Sequence, residues 1–378
     1  MKTAFIYSDE FGSYSYGGSY PMRPARLKLT YELIKAYRLL DLPDTQIIEA
    51  RKASEEEVLL FHTKDYINVL KEANDGVIPE NGWQHGLGYG DNPVFTGVYD
   101  WSLYSAGASV QAAETVLSGH TDFAFNICGG LHHAMKDKAS GFCYLNDAVI
   151  AIEYLLERGK RVAYIDIDAH HGDSVQFAFY DTDRVMTISL HENGEYLFPG
   201  TGFSHEIGTG KGKGYSVNLP FPPETDDMVF VNGFEEIVPL FIKRFKPDIL
   251  VTQLGVDTFR TDPITHLNLT TNGFKAMVKR FRSFNLPWVA LGGGGYNLSN
   301  VARAWTIAWG IMNDAVLTNK MPDSFSETAR EFNISERILN DAEDEHAKNK
   351  FSDKKELIWK EVSGNIDFLK RTALPLIG

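Results

Sequence analysis

Six short apolar runs, separated by longer stretches of helical spacing, constrain this chain more than any other feature. The runs are TAFIYS (3–8), DFAFNIC (122–128), RVAYIDID (161–168), VMTISL (185–190), DILVTQLG (248–255) and WVALGG (288–293). A strand covered on both faces reads as a continuous apolar run, as in parallel sheets. Between them, residues 25–40, 106–118, 147–159, 227–245 and 272–285 carry the spacing of helices that bury one face. This alternation predicts an α/β fold, a doubly wound parallel sheet with helices on both faces.

With 378 residues, 43% of them hydrophobic and 23% charged, the chain has the composition of a soluble protein able to bury a large core. We expect one domain over 1–378. Segments 78–101 and 192–214 read as long structured loops, a type that is usually functional. Beyond residue 320 the sequence becomes polar and charged. Helical stretches near 326–345 and 353–371 predict a helical C-terminal appendage over 320–378.

The net charge of −13 argues against direct contact with nucleic acid, which needs a basic surface. Two cysteines, Cys128 and Cys143, form no disulfide framework, so a cytoplasmic location is expected. No apolar run is long enough for a membrane span.

The residues that follow the predicted strands are of catalytic types. His132 and His133 follow one strand; Asp168, His170 and Asp173 follow the next; Asp257 and Tyr296 follow two more. Ligands of open α/β sheets bind at the carboxyl ends of strands, so these residues converge on one edge. In YIDIDAHHGD (164–173), Asp166, Asp168 and His170 recur at every second position and would share one face of an extended chain. Asp168, His170 and Asp257 form a candidate three-ligand metal site with a position left open, suited to Zn²⁺ or Fe²⁺. Asp166 and Asp173 are available to orient the two histidines. Tyr296, after the glycines 292–295, suits oxyanion stabilisation.

The segments GGLHHAMKDKASGFCYLND (129–147), YIDIDAHHGDSVQ (164–176), LGVDTFRTDP (254–263) and LGGGGYN (291–297) together resemble the zinc-dependent histone deacetylase family. The run DPITHL (262–267) is similar to bacterial members of the acetoin-utilisation type. The resemblance spans roughly 3–315. It implies an arginase/deacetylase-type fold with about eight parallel strands, and zinc on Asp168, His170 and Asp257. It implies pairing of His132 with Asp166 and of His133 with Asp173, and a carbonyl-polarising role for Tyr296. It also implies an acyl-lysine tunnel at Gly141, Phe142 and Phe198, a rim aspartate at Asp91, and Arg26 lining an internal acetate-exit channel. Structural K⁺ or Na⁺ would lie at Asp166, Asp168, His170, Ser189 and Leu190, and at a second site near Phe179, Thr182, Val185 and Tyr215.

The expected reaction is therefore metal-dependent hydrolysis of an N-acetyl amide, with His133 as base. The substrate would be an acetylated protein or, as an alternative, a small acetylated amine such as an acetylated polyamine. A binuclear ureohydrolase is disfavoured because DAHHGD spaces its second Asp one residue too far. A silent acyl-lysine binder is disfavoured because Tyr296, His132 and His133 are all present. The sequence leaves the oligomeric state open.

Overall fold

The structure is a computed structural model that describes residues 1–18, 20–342 and 353–378. Its centre is an eight-stranded sheet with all pairings parallel. The strands are β1 (Thr3–Tyr7), β2 (Thr45–Glu49), β3 (Phe123–Asn126), β4 (Val162–Asp166), β5 (Val185–Glu192), β6 (Ser216–Phe221), β7 (Ile249–Gln253) and β8 (Trp288–Leu291). Their spatial order is β2-β1-β3-β8-β7-β4-β5-β6.

All six predicted strands are present. The two without a predicted counterpart, β2 and β6, are the sheet's edges. TQIIE of β2 is half exposed and lacks a continuous apolar run. SVNLPF of β6 carries Pro220, a residue sheets tolerate at an edge.

Two helical layers enclose the sheet. The first three helices, α1 (Ala25–Ala36), α2 (Glu55–Val58) and α3 (Lys64–Glu72), divide between the outsides of the two layers. Helices α4 (Val98–Leu117), α5 (Asp147–Glu157) and α6 (Asp173–Phe179) pack in succession along one face, with α2 and α3 outside them. Helices α7 (Asp227–Phe245), α8 (Thr271–Ser283) and α9 (Leu298–Met312) follow one another on the other face, with α1 against α9. Helix α4 begins eight residues before the predicted 106, so the first long loop ends at Gly97, a left-handed residue that offers no side-chain cap to announce the helix.

The predicted helix over 326–345 is shorter than expected. It spans only Ser326–Glu331, and positions 343–345 lie outside the described residues. It stops because Asn333 takes φ 57°, with the Ile334 and Asn333 amides donating back to the Ala329 and Arg330 carbonyls. That is a Schellman ending, and Ile334 buries against Ala329 beneath it.

The C-terminal helix (Asp353–Thr372) lies on α7 and β6. It places Val362, Ile366 and Leu369 in the main core, followed by Ala373 and Ile377. We therefore propose that the described residues 320–342 and 353–378 fold with the rest as one cooperative domain. Among the described residues, no helix is long and apolar enough to cross a membrane.

The sheet order fixes where a site can form. From β4 the chain moves outward to β5 and β6; from β7 it moves the opposite way to β8. Since β4 and β7 are neighbours, their following loops diverge and leave a crevice at the carboxyl edge.

Leu369→Ala should lower stability by about 2–5 kcal/mol, the usual cost of emptying a buried leucine site. Urea unfolding of the full chain should keep a single transition with a lower midpoint. An unchanged midpoint would show that the last helix is not part of the core.

Candidate active site

Strand β4 ends at Asp166, so Asp168 and His170 lie in the loop beyond it rather than on an extended strand face. Their alternation has a different cause. The Asp168 N–H donates to Asp166 Oδ1 at 3.0 Å, and the His170 N–H donates to Asp168 Oδ1 at 3.0 Å. These are two successive Asx-type turns, in which a carboxylate accepts from the amide two residues on.

Asp257 arrives from the loop after β7, the strand paired with β4. One ligand atom from each of Asp168, His170 and Asp257 lies within 4.8 Å of the others, and all three residues are buried. His170 Nδ1 is 3.1 Å from Asp168 Oδ1 and 3.0 Å from Asp257 Oδ2. A single ring N–H cannot balance two buried carboxylates, so this donor set fits a divalent cation.

The carboxylates are held from behind. Asp168 Oδ2 accepts from Gln253 Nε2 at 2.6 Å and from the Gly294 N–H at 2.7 Å. The Gly255 N–H donates to Gln253 Oε1 and so fixes which end of that amide faces Asp168. Asp257 Oδ1 accepts from the Ala169 N–H at 2.8 Å. Gly294 must be glycine because a Cβ there would sit 2.1 Å from Asp257 Oδ2.

His132 and His133 follow β3 and are both buried. His132 Nδ1 is 2.8 Å from Asp166 Oδ2, and His133 Nδ1 is 2.7 Å from Asp173 Oδ1. The two Nε2 atoms are 3.0 Å apart. With protein groups alone, burial disfavours a charged His132, but Asp166 and Asp168 outweigh it and raise its pKa to about 9. Burial and the neighbouring His132 lower His133 to about 4, against the pull of Asp173. With protein groups alone, His132 thus holds a proton at neutral pH while His133 stays neutral.

A cavity of 450 Å³ opens above these groups. His133, His170 and Tyr296 line it, with Gly141, Phe142 and Phe198 among its walls and Asp91 at the exposed mouth. The Phe198 ring lies 5.0 Å from the His133 ring, and Phe142 lies 5.7 Å from Tyr296. Phe142 is held at φ 65°, unusual for a bulky residue, with its carbonyl accepting from the Tyr16 hydroxyl at 2.7 Å. The buried Tyr296 hydroxyl has its pKa pushed up, first by burial and then by Asp257 and Asp168, so it stays a donor.

Arg26 stands apart from this cavity. It is buried behind Tyr296, donating to the Gly295 carbonyl at 3.0 Å with its guanidinium over the Trp305 ring. Of the expected monovalent-cation residues, Ser189 pairs across the sheet with Asp166, and Leu190 follows it in β5; Asp168 and His170 belong to the triad described above. Phe179 ends α6, Thr182 lies just beyond the helix, and Val185 opens β5. The Tyr215 carbonyl accepts from the Thr187 N–H at 2.9 Å.

Several supporting residues had no assigned role at the sequence level. Gln253 is one; its signal was a single amide inside an apolar run. Asp147 accepts from the Gly130 and Leu131 amides and from the Ser109 hydroxyl, fixing the loop that carries the histidines. Asn146 caps α5 and donates to the His132 and Ala134 carbonyls. Asp262 accepts from the Tyr296 N–H at 2.9 Å. Asn146 and Asp147 form an Asn-Asp pair that reads as an ordinary helix start.

Residues 20–312 match the histone deacetylase domain family. The chain is 43% identical over 327 residues to type-1 histone deacetylase 1 of Dictyostelium discoideum, covering 85% of this chain and 65% of that protein, just under two thirds of its length. It is 42% identical over 315 residues to the acetoin utilization protein AcuC of Bacillus subtilis, covering 81% of each. The crystal structure of an HDAC homolog from Aquifex aeolicus superposes with a TM-score of 0.88 at 35% identity, covering 98% of this chain and all of that one.

Replacing Gln253 by Met should keep the fold and lower affinity for a divalent metal by about 10–100-fold, as loss of a ligand-orienting partner does. Competition against a chromophoric chelator measures this directly. Unchanged affinity would remove Gln253 from the site's support.

Proposed function

The chain belongs to the histone deacetylase family, and from that premise we propose that it hydrolyses the N-acetyl amide of acetyl-lysine side chains in proteins. One observation carries this reading: a narrow cavity with aromatic walls ends on a candidate metal triad, two histidine–aspartate pairs and a tyrosine. Asp168, His170 and Asp257 would hold Zn²⁺, with Fe²⁺ as the competing ion; bound there, it would polarise the acyl oxygen and bring the pKa of a water toward ~7.

The chain's own residues do the rest. The lysine stem lies between Phe142 and Phe198, where burial of each methylene contributes about 0.8 kcal/mol. Acetylation has already removed the charge that would resist this. Asp91 at the mouth accepts from the substrate backbone. Neutral His133 takes the water proton at Nε2 while Asp173 steadies the imidazolium that forms. Tyr296 donates its hydroxyl to the developing oxyanion, and charged His132, backed by Asp166, stabilises the same region. A histidine proton then passes to the leaving amine. The monovalent-cation positions would be structural, holding the loop after β4 through Asp166, Ser189 and Leu190, with the second site at Phe179, Thr182, Val185 and Tyr215. Arg26 belongs to the channel behind Tyr296 by which acetate leaves. Both cysteines are free and buried, in keeping with the cytoplasmic location we assign.

A small acetylated polyamine is the second substrate class, because the exposed Asp91 carboxylate could meet its distal ammonium. Comparing kcat/KM for an acetyl-lysine peptide and an acetylated diamine separates them. The reading offered here expects strong preference for the peptide, and the reverse preference would replace it.

Tyr296→Phe should reduce kcat by about 10²–10³, the usual loss of one oxyanion donor. Asp173→Asn should reduce kcat by about 10–100-fold. It should also move the acid limb of kcat/KM to lower pH, because Asp173 raises the proton affinity of His133. An acid limb unmoved by that change would take His133 out of the base role.

A further inference from the structure

The opposite end of the sheet holds a second cavity, of 720 Å³. Four cationic residues surround it: Arg161, Lys243, Arg244 and Lys246. Arg161 immediately precedes β4 and Lys246 follows the end of α7, before β7, so the cavity lies at the amino ends of the strands whose carboxyl ends carry the candidate metal triad. Its apolar wall comes from Leu240, Leu374 and Pro375.

These charges are uncompensated. The chain has 50 acidic and 37 basic residues, and many of its other lysines and arginines pair with carboxylates. Among the described residues, no carboxylate lies in ion-pair range of the four, and only one of their side-chain donors has a protein acceptor. That donor is Arg244 Nε, which bonds the Ile377 carbonyl at 2.8 Å and aims the rest of its guanidinium. Arg161 is oriented by stacking 4.4 Å above the Phe245 ring. Asp248 nearby accepts from the Arg161 main chain. A carboxylate on Gly378, at the cavity's edge, would offset one charge and leave the excess.

The carbonyl end of α7 accounts for cations in its last turn. It does not account for Arg161, which comes from another element, or for an apolar wall supplied by residues 374–375. Unclaimed, forked N–H donors beside an apolar surface are what recognition of a phosphorylated ligand with an apolar or planar part requires.

We propose that this cavity is a binding site for a small polyphosphate ligand with an apolar or planar portion, the class that includes purine nucleotides and coenzyme A. The phosphates meet the four cations, and the remainder lies on Leu240, Leu374 and Pro375.

The test is calorimetric titration of the metal-loaded full chain with ATP, coenzyme A and pyrophosphate. ATP or coenzyme A should bind saturably with Kd below about 1 mM, and more tightly than pyrophosphate. Lys243→Glu/Lys246→Glu, both on exposed side chains, should weaken binding about tenfold or more with an unchanged thermal melt. Lys28→Glu/Lys35→Glu on α1 makes the same charge change elsewhere and should leave binding intact. The proposal is overturned by no saturable binding at about 5 mM, by equal losses in both double variants, or by pyrophosphate binding as tightly as ATP and coenzyme A. If the first double variant melts early, Arg161→Gln takes its place under the same criteria. None of these outcomes depends on deacetylase activity.

Discussion

Four carboxylates, those of Asp147, Asp166, Asp168 and Asp257, are buried behind one sheet edge, and the surrounding structure is organised by the need to satisfy them. An unpaired carboxylate in a protein interior costs several kcal/mol. Here each accepts backbone N–H groups, and the donors come from different loops. Asp147 holds the loop after β3, Asp257 holds the loop after β4, and Asp168 holds the glycine run after β8. The carboxylates therefore tie the loops to one another. Only a sheet order that puts β3, β8, β7 and β4 side by side brings those donors within reach.

Two imbalances of charge remain, and both lie at the candidate site. Asp168 and Asp257 converge on one nitrogen of His170, which leaves negative charge for a cation to meet. The adjacent histidines, identical in type, differ in proton affinity because their surroundings differ. His132 has Asp166, wholly buried, and Asp168 within 3.9 Å. His133 has only Asp173, partly open to solvent, and feels the charge of His132. The chemistry proposed for the site needs that difference, and it arises from position in the fold rather than from residue type.

Much of this was legible in the sequence because it rests on short, local patterns. Continuous apolar runs marked the six inner strands, and the polar residues after them marked the edge. The edge strands were not legible because they are half exposed or carry Pro220, so neither shows an unbroken run. Asp166, Asp168 and His170 do follow one another closely, but through Asx turns and not along one strand face: alternation produced by Asx turns looks the same in sequence as alternation along a strand. The early stop of the helix at Glu331 depends on Asn333 turning left-handed, which an Asn inside a charged stretch does not announce. Gln253, Asp262, Asn146 and Asp147 act on partners 12 to 85 residues away. Spacing cannot reveal them.

The same bonding explains why chemistry and specificity can be separated in this fold. Residues at the cavity floor are buried and bonded to backbone from several elements, so changing one disturbs its neighbours' hydrogen bonds. The mouth is built differently. Asp91 is exposed, Tyr89 two positions before it is 84% accessible, and Tyr196, next in the chain to the lining residue Leu197, is 58% accessible. Their side chains support little else, so substitution there costs little stability and can still alter which flanking groups are accepted. Family membership therefore speaks to the floor, while selectivity among the ligands of the proposed reaction would rest on mouth side chains whose contacts the fold does not need.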